Sequence, residues 1–558
     1  MLAGELWGHA AGDAERFDSA ADGFESAVTL LPLLAWHGLP PGTREDHLAV
    51  WSGLAADAAA CAVYAGRSER AVELLEAGRS VLWAQTLNLR TDLNALDRAA
   101  AAAREPELVS RLVEVRRLLD SPLPGTADFA LSAKHGQFER LYVARRRAVE
   151  DRMRLAREFD VLLTRVRALA GFEHFLLPIP FAQLSAAAVG GPVVIVNTSR
   201  HGCHALVITT TGVKVVDLPE LVHSQVIDQA RRQRRAVAPA SVSPRSPRDL
   251  EGAPDSDDDT VLDILSWLWD TVTEPVLSHL GHTGPPAPDA AWPRVWWCPT
   301  GPMTLLPLHA AGRHSDQRRA GIAPAIMPNR VVSSYTPTLA ALLRAHSTPR
   351  PTGTPRLLAV GMPTTPEASD LPHVPRELDC IPKHLIATRL QNPTRDRTDN
   401  PLTRPTVSRV LAELPNHAWV HLACHGSQHP TDPTASAFRL ADGPLRVTDL
   451  IQQDHPGPRE LAFLSACQTA TGSTRIPDEA LHLAAAMQLM GYRHVIATLW
   501  SIYDSMAPDV ADTVYGTLAT CTLDADHAAL ALHHAVTALR AKRPASPLAW
   551  APYLHTGP

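Results

Sequence analysis

The chain has no Cys-x-x-Cys pair among its seven cysteines, Cys61, Cys203, Cys298, Cys380, Cys424, Cys467 and Cys521. Their odd number and wide spacing make neither a disulfide framework nor a zinc ribbon. A reducing cytoplasm is the compartment they fit. No apolar run reaches the ~18 uninterrupted residues that mark a membrane span. The opening residues, Met1 to Leu6, lack a basic segment followed by a long apolar run, so no signal peptide is expected. Excess positive charge is missing as well: 52 Lys+Arg stand against 58 Asp+Glu, a formal net charge of −6. That balance argues against direct nucleic-acid binding. The basic run Arg231-Arg232-Gln233-Arg234-Arg235 adjoins a polar linker and reads as a solvated face.

At 558 residues and 45% hydrophobic content, the chain has material for two or three packed domains. Residues 1–170 read as helical, with apolar positions three and four apart. Between Ala65 and Leu87, Ala71, Leu74, Leu75, Ala77 and Leu82 share one helix face. A regular 34-residue period is absent, so a plain helical bundle and degenerate repeats both remain open. A long helix over about Glu139–Leu169 leads onward. From Gly191 the pattern turns to β-rich runs, Pro192–Val196, Ala205–Ile208 and Val213–Val216. Helices follow near Pro219–Gln233 and Val261–Leu280, then a strand over Arg294–Cys298. Between those helices, residues 236–259 are rich in Pro, Ser, Arg and Asp and are expected to be an exposed, disordered loop.

Past a Pro/Thr linker at 346–355, strands alternate with helices. The strands are Arg356–Gly361, Ala418–Ala423, Glu460–Ser465 and His494–Leu499, and the helices lie near Val374–Leu385, Thr406–Leu414, Asp478–Met490 and Ala507–Leu518. Such alternation implies an α/β fold with a mainly parallel sheet covered on both faces. Asp442-Gly443 suits the turn of a small hairpin.

Two of these strands end abruptly beside reactive residues. One runs Ala418-Trp419-Val420-His421-Leu422-Ala423-Cys424 into His425-Gly426; the other runs Glu460-Leu461-Ala462-Phe463-Leu464-Ser465-Ala466 into Cys467. Open α/β sheets carry their sites beyond the carboxyl ends of such strands. An imidazole and a thiol meeting there form the pair for cysteine nucleophilic catalysis, since the thiolate attacks and a nearby base raises its fraction. Cys467 is the expected nucleophile and His425 its base. Strand alternation turns Cys424 away from His425 and into the core, and His421 is expected to be a core histidine. His421, Cys424, His425 and His429 are close in sequence, but their spacing would suit a metal site on a helix, not on a strand; no metal and no cofactor are expected.

The pattern His421-Leu422-Ala423-Cys424-His425-Gly426, then Leu464-Ser465-Ala466-Cys467-Gln468-Thr469-Ala470-Thr471-Gly472, resembles the CHAT family. These are caspase-like and separase-like cysteine peptidase domains, often preceded by tetratricopeptide repeats. Trp297-Cys298-Pro299-Thr300-Gly301, Leu306-Pro307-Leu308-His309-Ala310 and Pro547 to Tyr553 add to the resemblance, which covers roughly residues 170–558. It implies a caspase-like α/β sandwich. Residues 171–345 would be an inactive half-domain and residues 356–558 the catalytic half, preceded by a repeat-like helical region over 1–170. The backbone N–H groups of Gly426 and Cys467 would form the oxyanion hole. Asp504, within Leu499-Trp500-Ser501-Ile502-Tyr503-Asp504, resembles the acidic residue that receives a substrate Arg in separase; the competing reading is an N-cap for the next helix. The chain departs from metacaspases, which place an Asp where Ser465 stands. A protein substrate and an activating protein partner bound through residues 1–170 are expected, and the alternative to a peptidase is a non-catalytic scaffold of the same fold.

Overall fold

The computed structural model describes the chain except residues 35–40, 80, 82–92, 121–137, 171, 173–174, 176–177, 239–255, 315–324, 396–399, 428–435, 452–458, 467–468 and 471–481. Its centre is one eleven-stranded sheet. The strands are β1 (Val193–Ser199), β2 (Gly202–Thr209), β3 (Gly212–Asp217), β4 (Arg294–Pro299), β5 (Val332–Tyr335), β6 (Leu357–Gly361), β7 (Ala387–Gln391), β8 (Trp419–Ala423), β12 (Arg459–Ser465), β13 (Tyr492–Thr498) and β14 (Tyr553–Thr556). A separate three-stranded sheet holds β9 (Gly426–Ser427), β10 (Ala437–Arg439) and β11 (Pro444–Arg446), the last two forming the expected hairpin.

The order in the large sheet is β3-β2-β1-β4-β5-β14-β13-β12-β8-β6-β7. Strands β1, β4, β5 and β14 run parallel to one another, as do β13, β12, β8, β6 and β7. The two blocks meet where β14 pairs antiparallel with β13. They therefore run in opposite directions, and their carboxyl ends open toward opposite ends of the sheet. The expected α/β fold is present, and both blocks belong to one continuous sheet. The last strand in sequence sits in the middle and joins them. It can do so because Tyr553, Leu554, His555 and Thr556 are all at most 5% exposed.

Strand alternation splits the core cleanly. Val194 and Val196 of β1 and Val295 and Trp297 of β4 face the main core, which spans both blocks. Val193, Ile195, Trp296 and Cys298 face the other way, into a second core with the N-terminal helices. Helices Leu2–Asp13, Phe17–Val28, Leu54–Tyr64 and Ser68–Gly78 thus cover one face of the sheet. Helices Leu93–Ala102, Glu107–Asp120 and Phe138–Arg167 gather a third core of their own, from Leu96 to Leu169. The helical region is therefore two bodies in packing terms.

Three helix pairs close through the same turn, with Glu15, Gly66 and Arg104 in the left-handed conformation. In each, that residue and the next return hydrogen bonds to the last turn of the helix, as from Gly66 N to Val63 O and from Arg67 N to Ala62 O. The turns recur at unequal intervals, which is why no period is visible in the sequence. Among the described residues no helix is long and apolar enough to cross a membrane. Of the expected 236–259 loop, residues 239–255 lie outside the described residues, whereas Ala236 ends the helix His223–Ala236 and residues 256–259 open the helix Ser256–Leu268, so the loop is shorter than its composition suggested.

Candidate functional site

Strands β8 and β12 are parallel neighbours, with Leu422 beside Leu464 and Ala423 beside Ser465. Their start is fixed by Trp419, fully buried, whose indole N–H donates to Glu460 Oε2 at 2.8 Å. Burial raises the Glu460 pKa, opposed by that hydrogen bond. One residue past Ala423 the chain is still buried at Cys424, and at His425 it emerges. Cys424 thus packs into the main core as alternation required.

His425 Nε2 lies 2.8 Å from the carbonyl oxygen of Ser369. A carbonyl only accepts, so Nε2 carries the hydrogen, and in the neutral ring Nδ1 is the basic nitrogen. The ring is thereby oriented by the loop between β6 and the helix Val374–Cys380. Beyond it the chain enters β9. His425 O accepts from Arg439 N at 2.9 Å, and Gly426 stands opposite Phe438. Since 425 and 439 are the hydrogen-bonded pair, the next pair along is of the non-bonded kind. The Gly426 N–H therefore points away from β10, on the edge of the small sheet that β9 leaves open among the described residues.

Cys467 lies outside the described residues, one position beyond Ala466. The chain on both sides of it is anchored to the end of β13. Thr498 Oγ1 donates to Ala466 O at 2.6 Å, Thr498 N donates to Thr469 Oγ1 at 2.9 Å, and Ala470 N donates to Thr498 O at 2.8 Å. Thr469 O in turn accepts from Ala484 N at 2.8 Å. There the helix Leu483–Leu489 begins, capped by His482, whose Nδ1 accepts from Ala485 N at 3.2 Å. Desolvation pushes the His482 pKa down to about 4, which keeps that nitrogen an acceptor.

Asp504 does not cap a helix: the following helix is Ala507–Thr520, with Met506 at its N-cap. Instead Asp504 Oδ2 accepts from His373 N at 2.9 Å and pairs with His373 Nδ1 at 2.7 Å. Its side chain is 18% exposed. Both contacts fall on Oδ2, leaving Oδ1 without a partner among the described residues. His373 sits four residues after Ser369, so one loop holds His425 at one end and Asp504 at the other. His421 is the expected core histidine. Its Nε2 is 3.0 Å from Glu377 Oε1 and its Nδ1 is 3.0 Å from Tyr515 Oη.

Ser369, His373, Thr498 and His482 were not singled out from the sequence. Their roles come from contacts 56 to 131 residues away in the chain for the first two, which no local pattern encodes. The threonine at 469 was visible as part of the second motif.

A model of the CHAT domain matches residues 262–558, more than half of the chain. The chain belongs to the CHAT domain family. Among solved structures it is similar to the Arg-specific cysteine proteinase gingipain R (RGPB), at 11% identity over 60% of this chain and 74% of that one, with a TM-score of 0.32. The complex of Porphyromonas gingivalis RgpB pro- and mature domains gives 10% identity, 60% and 76% coverage, and a TM-score of 0.31. Separase in the Saccharomyces cerevisiae separase–securin complex gives 10% identity over 97% of this chain and 37% of that one, with a TM-score of 0.49. Comparison with curated protein sequences gives no match.

Proposed function

We propose that the chain is a cytoplasmic cysteine endopeptidase of the CHAT type, acting through Cys467 and His425. The observation that carries the reading is the placement of His425. It stands two residues past the last registered pair of β8 and β12, with Nε2 engaged by Ser369 O and Nδ1 left as the base. Cys467 stands the same two residues past that pair in sequence. In this reading Nδ1 takes the thiol proton, the thiolate attacks the scissile carbonyl, and the imidazolium returns the proton to the leaving amine. The outward N–H of Gly426, with that of Cys467, stabilises the oxyanion. Asp504, through its remaining oxygen, receives a basic P1 side chain by a charge-assisted hydrogen bond.

The N-terminal helices serve as the partner-binding, repeat-like part. The body over 93–169 supports this role best, because its core is its own and it can move without baring the sheet. The test is labelling of the full chain with an activity-based cysteine probe, alongside hydrolysis of an Arg-P1 peptide, with and without Cys467→Ala and His425→Ala. Each substitution should abolish both signals, and the pair should be no worse than either alone. Undiminished labelling of folded Cys467→Ala would reject the assignment. Retained partner binding with no cleavage under any condition would leave the scaffold reading.

A further inference from the structure

Far from β8 and β12, at the junction of the N-terminal helices with the sheet, three side chains from three separate elements converge. His9 comes from the helix Leu2–Asp13, Asp57 from the helix Leu54–Tyr64, and His201 from the two-residue turn between β1 and β2. One ligand atom from each lies within 4.8 Å of the others, the one such grouping among the described residues. His9 Nδ1 and His201 Nε2 are 3.2 Å apart. Two nitrogens bound tetrahedrally to one zinc ion at about 2.0–2.1 Å are separated by about 3.3 Å.

The surroundings hold these groups in place. Ser199 Oγ donates to Asp57 Oδ1 at 2.6 Å and accepts from His201 N at 3.0 Å. One hydroxyl therefore orients both the carboxylate and the turn, and leaves Oδ2 on the side of the His9 ring, 4.0 Å from its Nε2. Supporting groups of this kind are what fix ligands in metal sites. Gly12 lies flat beneath the His201 ring, where a Cβ would come within 2.8 Å of Cε1. Phe24, fully buried, walls the site with its ring 4.8 Å from that of His9 and 5.7 Å from that of His201. Glu5, one turn before His9, brings a carboxylate oxygen to 3.9 Å from His9 Nε2. The opposing group is Arg200, 3.8 Å from Asp57 Oδ2, but its side chain is 53% exposed and free to swing into solvent.

We propose that His9, Asp57 and His201 bind a divalent transition-metal ion of the zinc class, clamping the N-terminal helices to the β1–β2 hairpin. Two imidazoles and one carboxylate suit zinc and its neighbours better than calcium or magnesium, which take all-oxygen shells. Burial lowers the pKa of both imidazoles, the direction that favours the ligating form. The site lies apart from His425 and does not depend on the peptidase reading.

The experiment uses the full chain without an affinity tag, stripped with a chelator and titrated with zinc chloride. Bound metal is counted by mass spectrometry, and ligand type is read from the visible spectrum of the cobalt form. The wild type should hold one zinc that His9→Gln and His201→Gln each lose. Zinc should raise the melting temperature of the wild type and of neither variant. Asp57→Asn should weaken binding at least tenfold, and Arg200→Ala should strengthen it by removing a competing cation. The cobalt spectrum, recorded on wild type and so independent of any variant's folding, should show nitrogen and oxygen ligation. Thiolate charge-transfer bands, unchanged zinc content in both histidine variants, or less than a tenth of an equivalent in the wild type would each overturn the site. In the last case the two imidazoles are simply hydrogen-bonded to each other.

Discussion

Replacing one member of the buried pair His421–Glu377 is the sharpest test of how the strand that carries His425 is held. His421 is 0% and Glu377 1% exposed, and both imidazole nitrogens are engaged, at 3.0 Å by Glu377 Oε1 and at 3.0 Å by Tyr515 Oη. Phe463, opposite His421 in the β8–β12 register, packs its ring 4.8 Å away. Water has no access to satisfy whichever group is orphaned. Removing one partner of such a pair costs about 3–5 kcal/mol, and losing one neutral hydrogen bond about 1 kcal/mol. Glu377→Leu and His421→Leu should therefore each destabilise by about 3–5 kcal/mol, and Tyr515→Phe by about 1 kcal/mol. The double variant Glu377→Leu/His421→Leu should cost about 2–3 kcal/mol less than the sum of the singles, since neither member of the pair is left without the other and only the Tyr515 hydroxyl loses a contact. The assay is urea unfolding of the full chain, followed by hydrogen exchange of the amides in β8 and β12. Additivity of the two singles within about 0.5 kcal/mol would refute the reasoning and make the contact incidental. Cysteine-probe labelling per folded molecule should stay unchanged throughout, because His421 faces the core and not the cleft.

Four other outcomes follow from the structure. Asp504→Asn should lower turnover of Arg-P1 peptides by well over tenfold while leaving the melting temperature nearly unchanged, because Asn can still accept from His373 N; equal turnover of both proteins would remove Asp504 from the S1 pocket. The His482 pKa falls from 6.5 in the unfolded chain to about 4 in the fold, so only the unfolded state takes up its proton between those values. Its contribution is present above pH 6.5 and lost as pH falls toward 4, by about 3 kcal/mol in full. His482→Asn, which keeps a cap, should flatten that part of the stability–pH curve, and an unchanged curve would count against the argument. Gly557→Ala places a Cβ against the Arg493 carbonyl and 3.2 Å from His494 Cα at φ +125°; a loss of about 3 kcal/mol or more is expected by urea titration. Deleting residues 1–81 removes helices packed on β1, β2 and β3 and bares Val193, Ile195, Leu206 and Ile208, and the product should aggregate in size-exclusion chromatography, whereas a monodisperse, folded product would contradict the assigned second core.

Much of this was legible along the chain. Mostly apolar runs such as Ala418–Ala423 and Glu460–Ser465 mark buried strands, and their ends before His425 and Cys467 are where an open α/β sheet is expected to carry a site. The helical opening and the Asp442-Gly443 hairpin are equally local, set by periodicity and by one turn. Tertiary structure alone decided the rest. That β14 lies between β5 and β13 depends on pairing across more than two hundred residues, and no short pattern carries such a choice. The tautomer of His425 is set by a carbonyl 56 residues earlier. Asp504 reads as a helix cap or a pocket carboxylate until the loop bearing His373 folds over it, and that loop is aimed by the packing of its helix, not by its own sequence. The convergence of His9, Asp57 and His201 is of the same kind: three unremarkable positions become one site only when a helical layer settles on a sheet edge.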